Sequence, residues 1–174
     1  MSGMDSIRPA TAEDAASIAR VHVESWKTTY RGIVPDEYLA RLNVEERTPR
    51  WREILKSSDH LVVAERDGEL AGFASGGPIR ELIDGYDAEL YAIYLLEKFQ
   101  RAGIGSRLMR EIARRLEQDG FRSMALWVIE GNAAVRFYET LGGVRVAAKE
   151  RAIGGAVFTL AAYGWPNLKS IAAQ

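Results

Sequence analysis

A mixed α/β domain with a mostly antiparallel central sheet is the fold class this chain predicts, and three observations predict it. Two strand-like runs, Leu61–Ala64 and Leu70–Ala74, flank Asp67-Gly68, a strong signal for a tight hairpin. Between Glu89 and Ile129 a strand, an amphipathic helix and a second strand follow one another, which implies a right-handed parallel crossover. Two last runs, Arg145–Glu150 and Ala156–Tyr163, are joined by Gly154-Gly155 and read as a closing hairpin.

The remaining elements fall into order around these. Ile7-Arg8 reads as a short first strand stopped by Pro9, and Thr11 offers an N-cap with Asp14 three residues on, a near capping box. Ala15, Ile18, Ala19, His22 and Trp26 recur at helical spacing and form one apolar stripe. Tyr30-Arg31-Gly32 ends that helix, and Pro35-Asp36-Glu37 opens a short one containing Leu39 and Leu42. Pro49 is expected to interrupt the chain again before Trp51, Ile54 and Leu55. Gly76-Gly77-Pro78 is expected to break the second hairpin strand, and an acidic loop then leads to Glu89–Leu95, whose alternation and Tyr and Ile content mark a strand. Ile104, Leu108, Ile112 and Leu116 fall four apart on one helix face, closed by Asp119-Gly120. Met124–Ile129 reads as a strand, and Asn132–Leu141 as a helix ended by Gly142-Gly143.

Composition narrows the function classes. The chain has 174 residues, 47% of them hydrophobic, with no internal repeat or linker, so a single domain over 1–174 is expected. A formal net charge of −1 supplies no basic field to recruit nucleic acid or acidic lipid. Cysteine is absent, which removes disulfides, thiolate metal sites and a Cys nucleophile and suits a reducing cytoplasm. No signal-peptide pattern opens the chain and no run approaches the ~20 apolar residues of a membrane span, so a cytoplasmic protein is expected.

The most informative segment is Gln100-Arg101-Ala102-Gly103-Ile104-Gly105-Ser106-Arg107, where a strand ends and a helix begins. Glycine there lets a ligand approach the backbone, and the free N–H groups of a first helical turn suit a phosphate. Two rival motifs fail. A P-loop needs Gly-Lys-Ser/Thr, but Gly105 is followed by Ser106-Arg107; a dinucleotide fingerprint needs a third glycine where Leu108 stands.

These residues resemble the GNAT N-acetyltransferase superfamily. Its motif Gln/Arg-x-x-Gly-x-Gly/Ala after a central strand is matched by Gln100, Gly103 and Gly105, with Glu89–Leu95 similar to that strand. Asn132-Ala133-Ala134-Val135-Arg136-Phe137-Tyr138-Glu139-Thr140-Leu141-Gly142 is similar to the family's Asn…Phe-Tyr-Glu…Leu-Gly element, and the openings Ile7-Arg8-Pro9 and Trp26…Tyr30-Arg31-Gly32 resemble bacterial members. The chain departs from the pattern twice: Asn132 and Tyr138 stand one residue closer than is usual, and Gly143-Val144 replaces Gly-Phe. The resemblance implies a GNAT-like sheet and acetyl-CoA as cosubstrate, without a metal. Its pyrophosphate would lie on the turn Gln100, Arg101, Ala102, Gly103, Ile104, Gly105 and Ser106, its pantetheine along Ile93, Tyr94 and Leu95, with Asn132 and Tyr138 also in contact. Arg101 and Arg107 are candidates for added charge near the phosphates, with a solvated helix start as the plainer alternative.

Acyl transfer to an amine needs a neutral nitrogen, a stabilised tetrahedral oxygen and a proton for the departing thiolate. Glu89, opening the central strand, is the candidate base, directly or through water; Tyr138 is the candidate acid, and a backbone N–H near Leu95 would serve the oxygen. Trp26 and Tyr30 are candidates for the acceptor pocket, with a core role equally open. The acidic run Glu81, Asp84, Asp87 and Glu89 favours a cationic acceptor such as a polyamine or aminoglycoside, although a solvated loop explains it as well. His22 is expected to be packed and His60 solvated; two histidines without cysteine make zinc unexpected, and no Gly-x-Ser-x-Gly elbow is present. The expected partners are therefore a small-molecule or peptide amine and, as an alternative to a monomer, a second copy in a homodimer, with neither nucleic acid nor membrane. A non-catalytic acyl-CoA-binding or sensing module of the same fold is the rival reading, and the presence of both Glu89 and Tyr138 favours catalysis over it.

Overall fold

The computed structural model describes residues 5–174. Strands β1 (Ser6–Pro9), β2 (Leu61–Arg66), β3 (Glu69–Pro78), β4 (Ala88–Leu95), β5 (Met124–Ile129), β6 (Val144–Ile153) and β7 (Ala156–Trp165) form one sheet in the order β1-β2-β3-β4-β5-β7-β6. Every neighbouring pair is antiparallel except β4–β5, so the crossover expected from the strand–helix–strand order is present. Helices α1 (Ala15–Thr29), α2 (Asp36–Arg41), α3 (Val44–Ser57), α4 (Ile104–Gln118), α5 (Ala134–Thr140) and α6 (Lys169–Ala172) flank it.

The two-residue side-chain period of a strand divides the core between the faces of the sheet. Val62 and Ala64 of β2 join α4 on one face, while Leu61 and Val63 join α1 and α3 on the other. On α4, Ile104, Leu108, Ile112 and Leu116 are at most 1% exposed. Burying four such side chains contributes about 1.5–3 kcal/mol each, which is why α4 holds its register under the sheet. The Asp67-Gly68 turn closes β2–β3 with φ of 53° and 77°, the left-handed pair that a two-residue hairpin requires.

Two breaks expected from glycine and proline are absent. Gly76-Gly77-Pro78 continues β3, which pairs with β4 as far as Pro78–Ala88. The glycines serve close approach instead: a Cβ on Gly76 would stand 3.0 Å from the Glu89 carbonyl oxygen, and one on Gly77 2.7 Å from the Tyr91 hydroxyl. Pro49 lies inside α3. Asn43 starts that helix upstream, its Oδ1 accepting from the Glu45 N–H at 2.7 Å. The lost turn at a proline costs about 3 kcal/mol. Opposing it, Trp51 is buried edge-on to Phe73 at 4.9 Å. Helix α5 is shorter than Asn132–Leu141, because Asn132 accepts the Ala134 N–H on its Oδ1 at 2.8 Å and the helix starts after it.

Candidate active site

β4 and β5 pair only at Ala88–Met124 and Glu89–Ala125, and beyond that point they diverge. The wedge opens into a cleft of about 590 Å³ lined by Leu90–Leu95 of β4, Leu126–Val128 of β5, the start of α4 and α5, and the end of α1. Pairing with β3 fixes which backbone groups face it. Leu96 donates its N–H to the Ala71 carbonyl at 2.9 Å, so the alternation of an antiparallel pair turns the N–H groups of Leu95 and Ile93 away from β3, toward the wedge. Between Gly76–Leu90 and Ser75–Ala92 the register shifts, leaving Tyr91 as an extra residue on β4, a bulge at the point where the strands separate.

The glycine turn stands at one end of this cleft. Arg101 and Gly103 take φ of 61° and 80°, and Gly103 is the N-cap of α4 with open space where a Cβ would lie. The first-turn N–H groups of a helix have no partner within it, and here they meet the cleft at Gly105 and Ser106. Gly105 has a second reason to be glycine: its Cβ would stand 3.3 Å from the Phe137 ring, so α4 and α5 touch there. Gln100 lines the cleft but spends its side chain on the fold, donating from Nε2 to the Leu95 carbonyl at 3.2 Å. Arg101 lines the cleft; Arg107 does not, and pairs with Asp5 at 3.4 Å, so one of the two arginines expected near a phosphate is occupied elsewhere. Ala102 and Ile104 do not line it either, and the Ile104 side chain belongs to the core.

Tyr138 comes to the opposite wall from α5, buried against Phe137 and Trp165. Its hydroxyl makes no protein hydrogen bond among the described residues although it borders the cleft. Burial and the neighbouring Tyr30 push the phenol well above its ordinary range, so it keeps its proton at neutral pH. Asn132 also borders the cleft, its Nδ2 donating to the Tyr30 hydroxyl at 3.2 Å. Tyr30, a candidate for the acceptor pocket, thus lines this cleft.

Trp26 turns to a second cavity of about 970 Å³, on the α3 side of β4, together with His22, Trp51, Tyr91 and Tyr94. Tyr91, Ala92 and Tyr94 line both spaces and form the wall between them. Trp26 Nε1 donates to the Tyr94 hydroxyl at 2.9 Å, Trp51 Nε1 donates to His22 Nδ1 at 3.1 Å, and His22 stacks on Tyr94 with ring centroids 5.3 Å apart. His22 is therefore packed, as its stripe position implies. Burial foremost, then Arg47 and Arg50, push its pKa down to about 4.

The acidic run does not line either cavity. Glu81 pairs with Lys149, and Asp87 accepts the N–H groups of Arg122 and Ser123. Glu89, 5% exposed, is bound by Arg80 through the backbone N–H at 3.1 Å, Nε at 3.1 Å and Nη2 at 2.7 Å. These three carboxylates are engaged within the fold, and Asp84 is exposed and lines neither cavity. His60 is likewise not solvated but 8% exposed, its Nε2 2.6 Å from Asp119, which ties the start of β2 to the end of α4. Missing from the sequence reading are Ser25, Thr28 and Thr29, which α1 brings to the cleft, and the arginines of the second cavity, which no linear spacing unites.

A splayed parallel pair with a glycine-capped helix at its mouth is the arrangement that the resemblance to CoA-dependent acyltransferases implies. The family model described as the acetyltransferase (GNAT) family matches residues 21–143, and the chain belongs to that family. The uncharacterized N-acetyltransferase YuaI of Bacillus subtilis is 44% identical over 97% of this chain and 96% of its own. The phosphinothricin N-acetyltransferase of Streptomyces viridochromogenes is 30% identical, covering 78% of this chain and 72% of its own. YncA of Salmonella typhimurium, solved with its cofactor acetyl-CoA, shares the fold with a TM-score of 0.69 and 22% identity over 94% of each chain. Among the described residues no helix is long and apolar enough to cross a membrane.

Proposed function

We propose that the chain, as one domain over 1–174, is an acetyl-CoA-dependent N-acetyltransferase that moves the acetyl group to a primary amine of a small molecule or peptide by direct attack. The observation that carries this is the wedge between β4 and β5, with the open glycine turn at one end and the unbonded Tyr138 hydroxyl on its wall. The residues present fit the cosubstrate. An anionic pyrophosphate suits the first-turn N–H groups after Gly103, with Arg101 beside them, and an amide-bearing arm suits the strand edge that offers Leu95 and Ile93 N–H. When bound, acetyl-CoA supplies an activated thioester carbonyl.

The chain's own residues supply the rest. The acceptor enters from the cavity of Trp26 and Trp51 and meets the thioester at the Tyr91–Tyr94 wall. As the nitrogen attacks the carbonyl carbon, an N–H of β4 facing the wedge stabilises the developing oxygen charge. The carbon–sulfur bond then breaks, and Tyr138 donates its proton to the departing sulfur. Glu89 lines neither cavity and has both oxygens bound to Arg80, so we assign it to positioning Arg80 rather than to direct contact with the amine. The amine proton leaves to water in the acceptor cavity.

Incubation with acetyl-CoA and a panel of amines, following free CoA thiol and acetylated product, tests the reading. Amine-dependent thiol release is the expected result. Tight acetyl-CoA binding without turnover on any amine would instead favour the non-catalytic acyl-CoA-binding module.

A further inference from the structure

The acceptor-side cavity carries fixed positive charge from three elements. Arg47 and Arg50 come from α3, Arg80 follows β3, and Arg151 lies near the tip of the β6–β7 hairpin. Two aspartates, Asp59 and Asp119, share the lining, the second already engaged by His60, and Glu89 balances Arg80, so the excess charge comes from Arg47, Arg50 and Arg151. Among the described residues Arg47, Arg50 and Arg151 form no ion pair. Arg80 is held in place: Glu89 binds its Nε and Nη2, and its guanidinium lies over the Tyr91 ring at 4.1 Å. This leaves Nη1, which makes no hydrogen bond among the described residues, and a planar group with its rotamer already chosen. His22 lines the same cavity, and burial foremost, then Arg47 and Arg50, disfavours its protonation.

We propose that the acceptor is a small amine that also carries an anionic group, a carboxylate or a phosphorus oxyanion, as an amino acid does, and that Arg80 with Arg47 and Arg50 grips that anion. The inference rests on the acetyltransferase reading above and names its substrate class. A plain polyamine would bring like charge into this cavity, whereas a zwitterionic amine meets it with its acidic end. Guanidinium suits both oxyanion types, since its fork matches two oxygens.

Matched acceptors test this on the full chain with acetyl-CoA: amino acids, their amides, their decarboxylated amines, the corresponding aminophosphonates, and spermidine. The expected result is a kcat/KM for the acid at least roughly tenfold above its amide and amine, charge-assisted bonds being the discriminating contact. The carboxylate and phosphonate arms decide which anion is preferred. Arg80→Gln and, on the exposed face of α3, Arg50→Gln should each lower the acid's kcat/KM far more than its amide's, bringing the two closer together. Equal use of acid and amide, preference for spermidine, or a loss shared equally by all acceptors in both variants overturns the inference while leaving an active acetyltransferase. Acetyl-CoA left intact with every amine overturns the acetyltransferase reading, and this inference with it.

Discussion

Glu89 binds Arg80 with both carboxylate oxygens, Oε1 to Nη2 at 2.7 Å and Oε2 to Nε at 3.1 Å, from a position that is itself 5% exposed. On the function proposed here, Glu89 acts on the acceptor through Arg80. Glu89→Gln should therefore loosen Arg80 and raise KM for the acceptor several-fold, with little change in kcat or in the pH profile of kcat. A turnover that falls most at low pH and recovers as the pH approaches the amine's pKa would return Glu89 to the role of base.

Gly103 caps α4 at φ 80°, a conformation that costs a residue with a Cβ about 1–2 kcal/mol. No protein atom lies within 4 Å of the position its Cβ would take, so the space belongs to the cleft rather than to packing. Gly103→Val should leave the protein folded and weaken acetyl-CoA binding at least tenfold by calorimetry. Unchanged affinity in a folded Gly103→Val protein would remove the pyrophosphate from this turn.

How far the sequence could be read follows from how local each signal is. The α4 stripe was legible because four residues spaced four apart need no partner to declare a face, and Asp67-Gly68 because a two-residue hairpin restricts φ at just those positions. Gly76-Gly77 and Pro49 misled because their meaning depends on distant residues: Tyr91 and the Glu89 carbonyl oxygen crowd the first pair, and Trp51's partners hold the helix around the second. The glycine turn and Tyr138 were legible as a motif, and the fold brings both to one cleft. The acidic run could not be weighed from the sequence because charge in a sequence says nothing of whether it is already paired, as Glu81 is with Lys149 and Glu89 with Arg80. Arg47, Arg50, Arg80 and Arg151 converge only after α3, β3 and the last hairpin are assembled.

The pH dependence of stability offers a check on His22. An imidazole in the unfolded chain titrates near ~6.5, and His22 in the fold titrates at about 4. Between those values the unfolded state binds more protons, so stability falls as the pH drops through that window. The difference corresponds to roughly 3–4 kcal/mol, reached in full only below both values. His22→Gln keeps an acceptor for the Trp51 N–H and does not titrate there, so its Tm should fall less between pH 7 and pH 4.5 than the parent's. Parallel losses in the two proteins would show that His22 is protonated in the fold at no extra cost.

Tyr138 presents the sharpest test of the chemistry. Its ring is wedged between Phe137 and Trp165, with centroids 5.5 and 6.3 Å away, so the hydroxyl has a fixed place on the cleft wall. Burial raises the phenol's pKa, which keeps the proton available to a leaving sulfur throughout the neutral range. Tyr138→Phe deletes one oxygen and leaves those ring contacts intact, so acetyl-CoA affinity and Tm should stay near the parent's. Turnover should fall on the order of 10²–10⁴-fold if the hydroxyl is the general acid. A merely structural tyrosine would show the reverse: a shifted Tm with kcat within a factor of two of the parent. An acceptor panel run on the variant separates the two further, since loss of the acid slows every amine alike while a displaced wall alters their ranking.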